Sequence, residues 1–187
     1  MLLVVLLGIT ACSLLQGSGD EWRQRFAPLS LAGVSQAFQA SGVLTFRQGS
    51  HQVTFPLELL VSRERMSVVI LSPIGGALAS ATYAGGQIES TGGAALPPPL
   101  QGDALLRALQ WALWPTSALE MALTQQGWGL QIRDRERTIA SPDRRQIHIR
   151  ANYPDPLQGE VEFEHLTEQY RWTLQIVHLE ALESPLP

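Results

Sequence analysis

The chain alternates apolar and polar residues over long stretches after Phe38, and this period of two predicts β-strands. In the longest stretch the apolar positions are Val53, Phe55, Leu57, Leu59 and Val61. Pro56 interrupts the polar positions and predicts an edge or a bulge, because proline has no N–H to donate to a neighbouring strand. Residues 66–71 are apolar on both faces, and the charged residues 63–65 before them predict a hairpin.

The carboxyl-terminal part of the chain repeats this pattern. Apolar residues alternate with polar ones in three stretches, 147–153, 161–163 and 170–176. Glycine pairs at 75–76 and 85–86 mark turns between the earlier strands. Strands with one apolar and one polar face are typical of an antiparallel sheet that is covered on one side and wet on the other.

One segment between the two sets of strands has the period of a helix. The prolines at 97–99 predict an extended lead-in, and Asp103 is placed to cap the helix that follows. Residues 104–114 carry Leu105, Leu109, Ala112 and Leu113 on one face. Pro115 predicts the end of this helix.

A second, shorter helix is predicted directly afterwards. Ser117 and Glu120 have the spacing of a capping box, the helix runs to about Thr124, and Gly127 stops it. The resulting fold class is mainly β (α+β): a curved antiparallel sheet or half-barrel that wraps over a short helical insert. A length of 187 residues suits a single core, so we assign residues 31–187 to one domain.

The amino-terminal segment predicts export and lipidation. Residues 2–9 are apolar but much shorter than the ~20 residues that a membrane-spanning helix needs. They lead into Ile9, Thr10, Ala11 and Cys12, which resemble the lipobox of bacterial lipoproteins. We therefore predict a signal peptide at 1–11 and an acylated Cys12. The alternatives are an ordinary secretory signal with an incidental cysteine, or a buried strand.

A polar tether is predicted to follow the lipidated cysteine, so that the acylated amino terminus and tether span residues 12–30. Ser13 follows Cys12, and in known lipoprotein sorting the absence of aspartate at this position implies transfer to the outer membrane. The expected location is the bacterial cell envelope, lipid-anchored, at the outer membrane and facing the periplasm.

Composition excludes several classes of function. Only 16% of the residues are charged and the formal net charge is -4, so a nucleic-acid partner is not expected. All 13 basic residues are arginine, and without lysine there is no P-loop or Schiff-base lysine. A single cysteine forms no intramolecular disulfide. We predict no cofactor and no metal.

The segment 42–180 resembles an uncharacterised family of bacterial lipoproteins associated with aryl-polyene and other fatty-acid-type biosynthetic clusters. The recognisable motifs are LSPIG at 71–75, AGG at 84–86, and above all ALWP at 112–115 followed by GW at 127–128. That family resembles the LolA and LolB lipoprotein carriers. The resemblance implies a half-barrel whose concave side, lidded by helices, accepts acyl chains.

Large apolar residues of the predicted helix are candidates for contact with such a ligand. Trp111 and Trp114 lie beside the leucine face, and together with Leu113 and Trp172 they are the ligand-binding candidates. The alternative for the tryptophans is simple packing against the sheet or its rim.

Three arginines at a period of two form a second candidate site. Arg133, Arg135 and Arg137 would share one face of a hairpin and hold phosphate or carboxylate headgroups. The alternative is a solvated hairpin whose charge is compensated by Asp134 and Glu136.

Nothing in the sequence indicates catalysis. The four histidines have no ligand spacing on one element, and the common catalytic motifs are absent. A hydrolase or acyltransferase would need a histidine and a carboxylate that meet in a pocket. We predict no enzymatic activity.

The expected function is to bind or accept a fatty acyl, polyene or lipoprotein acyl chain during envelope transport. The partners would be membrane lipid at Cys12, the acyl or lipoprotein cargo, and a LolA-like carrier or an export pump. The alternative is a structural platform for an export or biosynthetic complex, with a filled interior.

Overall fold

A computed structural model describes residues 27–34, 36–142, 145–153 and 155–182. The predicted signal peptide, Cys12 and most of the predicted tether lie outside these residues, so both assignments stay predictions. Within the described parts of the chain, no helix is long and apolar enough to cross a membrane.

The described residues form ten strands in one antiparallel sheet. The strands are β1 (Phe38–Gln48), β2 (His51–Val61), β3 (Arg65–Leu71), β4 (Ala77–Ala84), β5 (Gln87–Gly92), β6 (Gly129–Arg133), β7 (Glu136–Ala140), β8 (Gln146–Arg150), β9 (Glu160–His165) and β10 (Tyr170–Ala181). Their order across the sheet is β5-β4-β3-β2-β1-β10-β9-β8-β7-β6. The first five and the last five strands are two meanders, joined where β1 pairs with β10 along its whole length.

The two helices are α1 (Gly102–Leu113) and α2 (Thr116–Gln125), and they connect the two meanders. The sheet is curved and open, and α1 packs against its concave face. The mainly β fold class predicted from the sequence, with a curved sheet over a helical insert, is therefore confirmed.

Apolar and polar residues alternate in the sequence because successive side chains of a strand point to the buried and to the outer face of the sheet. In β3 the side chains of Met66, Val68 and Ile70 are fully buried, and the residues between them, Ser67 and Val69, are half-buried. Ile147 and Ile149 of β8 are also fully buried, on either side of the half-buried His148. The inward residues pack on the leucine face of α1, because burial of these apolar surfaces is the main favourable term in folding.

Pro56 lies where the sequence predicts an edge. β2 pairs with β3 only from Leu57 to Val61, whereas Pro56 pairs with Val43 of β1. On the amino-terminal side of Leu57, β2 has a neighbouring strand only on its β1 side. The missing N–H of Pro56 is tolerated there.

The predicted start of α1 is wrong by a short distance. Pro98–Leu100 form a 3-10 turn rather than an extended lead-in, and the helix begins at Gly102 without a side-chain cap, so Asp103 lies in its first turn. A Cβ atom on Gly102 would lie 2.7 Å from the carbonyl oxygen of Ser80. Glycine therefore lets the helix begin directly against β4.

The capping box predicted for α2 is also wrong. The helix begins at Thr116 directly after Pro115, which occupies the cap position without a side-chain hydrogen bond. Ser117 is thus already inside the first turn and Glu120 has no cap to complete. Gly127 follows the helix with a φ of 74°, in agreement with its predicted role as the stop.

Candidate functional site

A cleft of about 770 Å³ opens at one end of the half-barrel, between the sheet and the junction of the two helices. Small-molecule sites usually enclose roughly 300–1,000 Å³. Most of its walls are apolar, and the lining residues are Gly33, Val34, Gln36, Phe38, Val61, Leu113, Trp114, Pro115, Thr116, Arg137, Tyr153, Asp155, Pro156, Leu157, Leu179 and Ala181.

A β-bulge in β10 makes one wall of this cleft apolar. The pairing of β1 with β10 shifts between Ser41 and Gly42, and Val177 is the extra residue that has no partner. Simple alternation after Ile176 would direct His178 inward. The bulge instead aligns Leu179 with Ala40, whose side chain is buried, so Leu179 lines the cleft.

Gly42 is required for that bulge. A Cβ atom at this position would lie 2.5 Å from the carbonyl oxygen of Gln175 on the neighbouring strand. The bulge could not be predicted from the sequence, because it depends on which residues pair across strands that are far apart in the chain.

Arg137 lies on the floor of the cleft and is only 4% exposed. Its Nη1 donates to the carbonyl oxygens of Trp111, Ala112 and Trp114 at 3.0, 3.3 and 2.9 Å. Its Nη2 donates to the hydroxyl of Thr116 at 3.2 Å. The guanidinium thus satisfies the free carbonyls at the end of α1 and ties them to the start of α2.

Tyr153 covers one face of the Arg137 guanidinium. The Cζ atom of Arg137 lies 3.9 Å from the centre of the ring, and the Tyr153 hydroxyl donates to the carbonyl oxygen of Ala112 at 3.1 Å. Burial raises the pKa of Tyr153 to about 12 against the opposing effect of the Arg137 charge, so the phenol stays neutral. Burial also lowers the pKa of Arg137, but arginine remains protonated at neutral pH.

The structure does not bring the three predicted headgroup-binding arginines together. Arg133 pairs with Glu136 across the β6–β7 turn and therefore lies on the opposite face from Arg137. Arg135 is in the turn, and both Arg133 and Arg135 are exposed. The expectation of a shared face was wrong because the turn interrupts the period of two, and only Arg137 reaches the cleft.

Two of the four ligand-binding candidates line the cleft. Leu113 and Trp114 are in its wall. Trp111 is buried against the ring of Trp128, with 6.1 Å between the ring centroids. Trp172 is fully buried and stacks on Phe163 at 4.9 Å. The last two tryptophans therefore belong to the core beside the cleft.

Gln110 of α1 and Trp114, the residue directly after α1, hold the segment that leads into the domain, a role that the sequence did not reveal. Gln110 accepts from the backbone N–H of Leu29 at 2.9 Å and donates to its carbonyl oxygen at 3.1 Å. Trp114 Nε1 donates to the carbonyl oxygen of Ser30 at 3.0 Å. A glutamine among buried apolar helix residues was the available signal, because such an amide needs partners.

Ile74 is 98% exposed at the tip of the β3–β4 hairpin. It follows Pro73 and precedes Gly75, whose φ is 91°. This tip lies at the opposite end of the sheet from the cleft. The LSPIG motif at 71–75 is recognisable in the sequence, but a single apolar residue in a turn does not reveal how far it protrudes.

Two histidines lie close to carboxylates, but neither lines the cleft. His148 Nδ1 is 2.9 Å from Glu136 Oε1 on the outer face of the sheet. Burial raises the pKa of Glu136, and the hydrogen bond and charge of Arg150 together with His148 lower it by more, so the net shift is downward. His165 is buried, and its Nε2 is 3.8 Å from Glu168.

An open, mainly β half-barrel with two helices and an apolar cleft is therefore the class of protein that the structure defines. Residues 39–180 match the family described as Protein of unknown function (DUF3261), and the chain belongs to that family. Among curated proteins, none matches this sequence.

Several solved structures are similar to this fold. A LolA superfamily protein from Nitrosomonas europaea is 12% identical over 81% of this chain and 89% of that chain, with a TM-score of 0.36. MucB of Pseudomonas aeruginosa, in its complex with MucA, is 16% identical with a TM-score of 0.44. That match covers 84% of this chain and 56% of the MucB chain, so this chain spans little more than half the length of MucB.

A third similar structure is a putative outer membrane lipoprotein-sorting protein domain from Vibrio parahaemolyticus. It is 8% identical over 79% of this chain and 87% of that chain, with a TM-score of 0.34.

Proposed function

We propose that this protein is a non-enzymatic, lipid-anchored lipoprotein of the outer membrane that accepts the acyl part of an amphiphile in its cleft. The cargo would be a fatty acyl or polyene chain, or the acyl groups of a lipoprotein. A LolA-like carrier or an export pump would deliver or receive it. The observation that carries the proposal is the apolar cleft, whose wall depends on a bulge that keeps His178 out.

The cleft walls suit a hydrocarbon chain. Phe38, Val61, Leu113, Leu157 and Leu179 line it from different elements. Each methylene moved from water into such surroundings contributes about 0.8 kcal/mol, and a long chain therefore offsets the several kcal/mol that association costs.

The cleft opens beside the segment that leads to the predicted anchor. Gly33 and Val34 line the cleft, and Leu29 and Ser30 are held on α1 just before them. Within the predicted tether of residues 12–30, the part between Cys12 and Leu29 spans at most roughly 55 Å when fully extended. An acyl chain that leaves a membrane near Cys12 would therefore have a short path to the cleft.

A second candidate function is a structural platform for an export or biosynthetic complex. The observation that favours it is the filled interior under α1, where Leu105, Leu106 and Leu109 are fully buried. A platform needs no ligand, so binding of an amphiphile distinguishes the two functions.

Native mass spectrometry of the mature protein, purified from producing bacteria, tests the proposal. We expect a copurified species with the mass of an acyl compound. Leu179→Asp puts a carboxylate into the cleft wall and should abolish the adduct. Val177→Asp is the matched control, because Val177 lies two residues away on β10, is 70% exposed and is absent from the lining. No adduct, or equal adducts in both variants, would favour the platform.

Lipidation requires a separate experiment. We expect radiolabelled palmitate to enter the protein in living bacteria and to be absent from the Cys12→Ser variant. An unlabelled wild-type protein would refute the anchor and leave the proposal about the cleft to be judged by the adduct.

A further inference from the structure

The positive charge of Arg137 has no carboxylate partner in the described part of the chain. Its hydrogen bonds go to three backbone carbonyls and one hydroxyl, and no carboxylate oxygen among the described residues lies within 4.0 Å of its guanidinium. A charge that is 4% exposed is costly unless an opposite charge or a full set of acceptors compensates it.

Not every N–H group of Arg137 has a hydrogen-bond acceptor. A guanidinium carries five N–H groups, and Nη1 with its two is engaged by the end of α1. Nη2 makes one bond, to Thr116. The Nε atom is buried and has no hydrogen-bond acceptor.

The remaining donors form a suitable edge for a planar anion. The Nε–H and one Nη2–H of arginine point in nearly the same direction, and this edge binds the two oxygens of a carboxylate in parallel. The ring of Tyr153 covers a face of the guanidinium and uses none of these in-plane donors.

The charge balance favours a monoanion. The carbonyls at the end of a helix supply roughly half a negative charge, which leaves Arg137 partly uncompensated. Among the described residues that line the cleft, the only other charged one is Asp155, which is negative. One carboxylate matches the single charge of Arg137, whereas a phosphate dianion would need a second cation. Asp155 is exposed, and its Oδ2 accepts from Gln158 at 2.7 Å, so its charge is screened by solvent.

We infer that the ligand of the cleft is a long-chain carboxylate, whose two oxygens accept from the Nε–H and Nη2–H of Arg137 while its chain lies along Leu113 and Leu179. This inference rests on the proposed function and specifies its substrate class. Because protein atoms cover Nε, the side chains around it must shift as the carboxylate enters.

A ligand series with a constant chain tests the inference without altering the protein fold. The protein is the chain from residue 12 to residue 187, which starts at the predicted cleavage site, with Cys12→Ser so that no attached acyl group competes. Binding of hexadecanoate, hexadecanol, hexadecyl phosphate and hexadecyltrimethylammonium is measured by calorimetry below their aggregation concentrations, at a mildly alkaline pH where the carboxylate is ionised.

We expect hexadecanoate to bind at least about tenfold more tightly than hexadecanol, because a charge-assisted bidentate pair replaces a neutral contact. Hexadecyl phosphate should bind more weakly than hexadecanoate, and the cationic ligand most weakly. Equal binding of acid and alcohol, or a preference for the phosphate or the cation, would overturn the inference and leave the proposed function intact. If none of the four binds, the proposed function itself fails.

Arginine-labelled protein gives a direct readout at the site. The Nε–H resonance of Arg137 should shift on addition of hexadecanoate and not on addition of hexadecanol, while that of exposed Arg133 stays unchanged. Arg137→Gln, if its circular dichroism shows a folded protein, should bind acid and alcohol equally. A variant that keeps the tenfold preference, or an unmoved Arg137 resonance at saturation, would contradict the assignment.

Discussion

Two of the buried polar residues, Gln110 and Arg137, hold the helices and the segment that leads into the domain. Gln110 and Arg137 lie 1% and 4% exposed, and both bond to backbone groups of segments far away in the sequence. Such bonds matter because a buried backbone group that loses its partner costs about 1–3 kcal/mol.

Gln110→Glu tests whether the Gln110 side chain holds the backbone of Leu29 on α1. The carboxylate would not donate to the carbonyl oxygen of Leu29 and would itself be buried, so we expect the free energy of unfolding to fall by at least about 2 kcal/mol. Urea unfolding measures this change. Gln131→Glu, at an exposed position of β6, is the matched control and should stay within about 0.5 kcal/mol of the wild type. Equal effects at both positions would refute the role of Gln110.

Tyr153 predicts a dependence of stability on alkaline pH. Its pKa in the folded protein is about 12, above the ordinary value of 10.0, so folding favours the neutral phenol. The contribution of the neutral Tyr153 phenol to the stability of the fold is therefore complete below pH 10 and is lost as the pH rises towards 12. Titration of phenolate absorbance should show a late component that Tyr153→Phe removes. A wild-type curve in which every tyrosine titrates near the ordinary value would contradict the burial.

Strands and turns determine where the cleft and the exposed tip lie. The bulge at Gly42 redirects the end of β10, and the β3–β4 hairpin carries Ile74 away from the sheet. In both places the path of the backbone, and not a charged side chain, determines which apolar side chain reaches the surface.

Gly42→Ala should disturb the bulge. The new Cβ atom would meet the carbonyl oxygen of Gln175 at 2.5 Å, so we expect a loss of about 1–3 kcal/mol in thermal or urea unfolding. Gly129→Ala is the control, since a Cβ atom on that strand residue has its nearest neighbour at 4.0 Å. The control should be neutral or slightly stabilising. A harmless Gly42→Ala would show that β1 and β10 do not pair as described.

Ile74→Asp tests whether the hairpin tip contacts membranes. Transfer of an aliphatic side chain that is 98% exposed into the interfacial region of a bilayer is favourable, whereas transfer of a carboxylate is unfavourable. In flotation of the Cys12→Ser mature chain with lipid vesicles, we expect about tenfold less bound protein. Val177→Asp, also at an exposed aliphatic position, should bind as the wild type does. Undiminished binding of Ile74→Asp would exclude the tip as the contact.

The strands were predictable because each must bury one face, and the alternation of Ile147 and Ile149 records that requirement directly. The helix starts were less predictable, since Gly102 begins α1 through a close approach to Ser80 that no local pattern shows. The cleft was hardest to predict. Leu179 reaches it through the pairing of β10 with β1, which is distant in the sequence. Arg137 reaches it through hydrogen bonds to the helix junction, and in the sequence it is one of three similar arginines.

At the scale of the whole molecule, the fold leaves one end of a well-packed half-barrel open. The helices fill the concave face, and the cleft remains where α1 ends, α2 begins and the strands β1, β2 and β10 reach their limits. Three features meet at that end: the junction of the two helices, the β-bulge, and the segment that leads from Cys12 into the domain. We therefore expect this opening to hold the acyl chain.

Cross-linking with a photoactivatable long-chain fatty acid identifies the surface that holds the chain. The labelled residues are identified by mass spectrometry on the mature chain with Cys12→Ser. We expect cross-links to the cleft walls, at residues 113–115, at Leu157 and at residues 179–181. Cross-links confined to the outer face of the sheet, such as at Val43, or to the hairpin tip at Ile74 would contradict it.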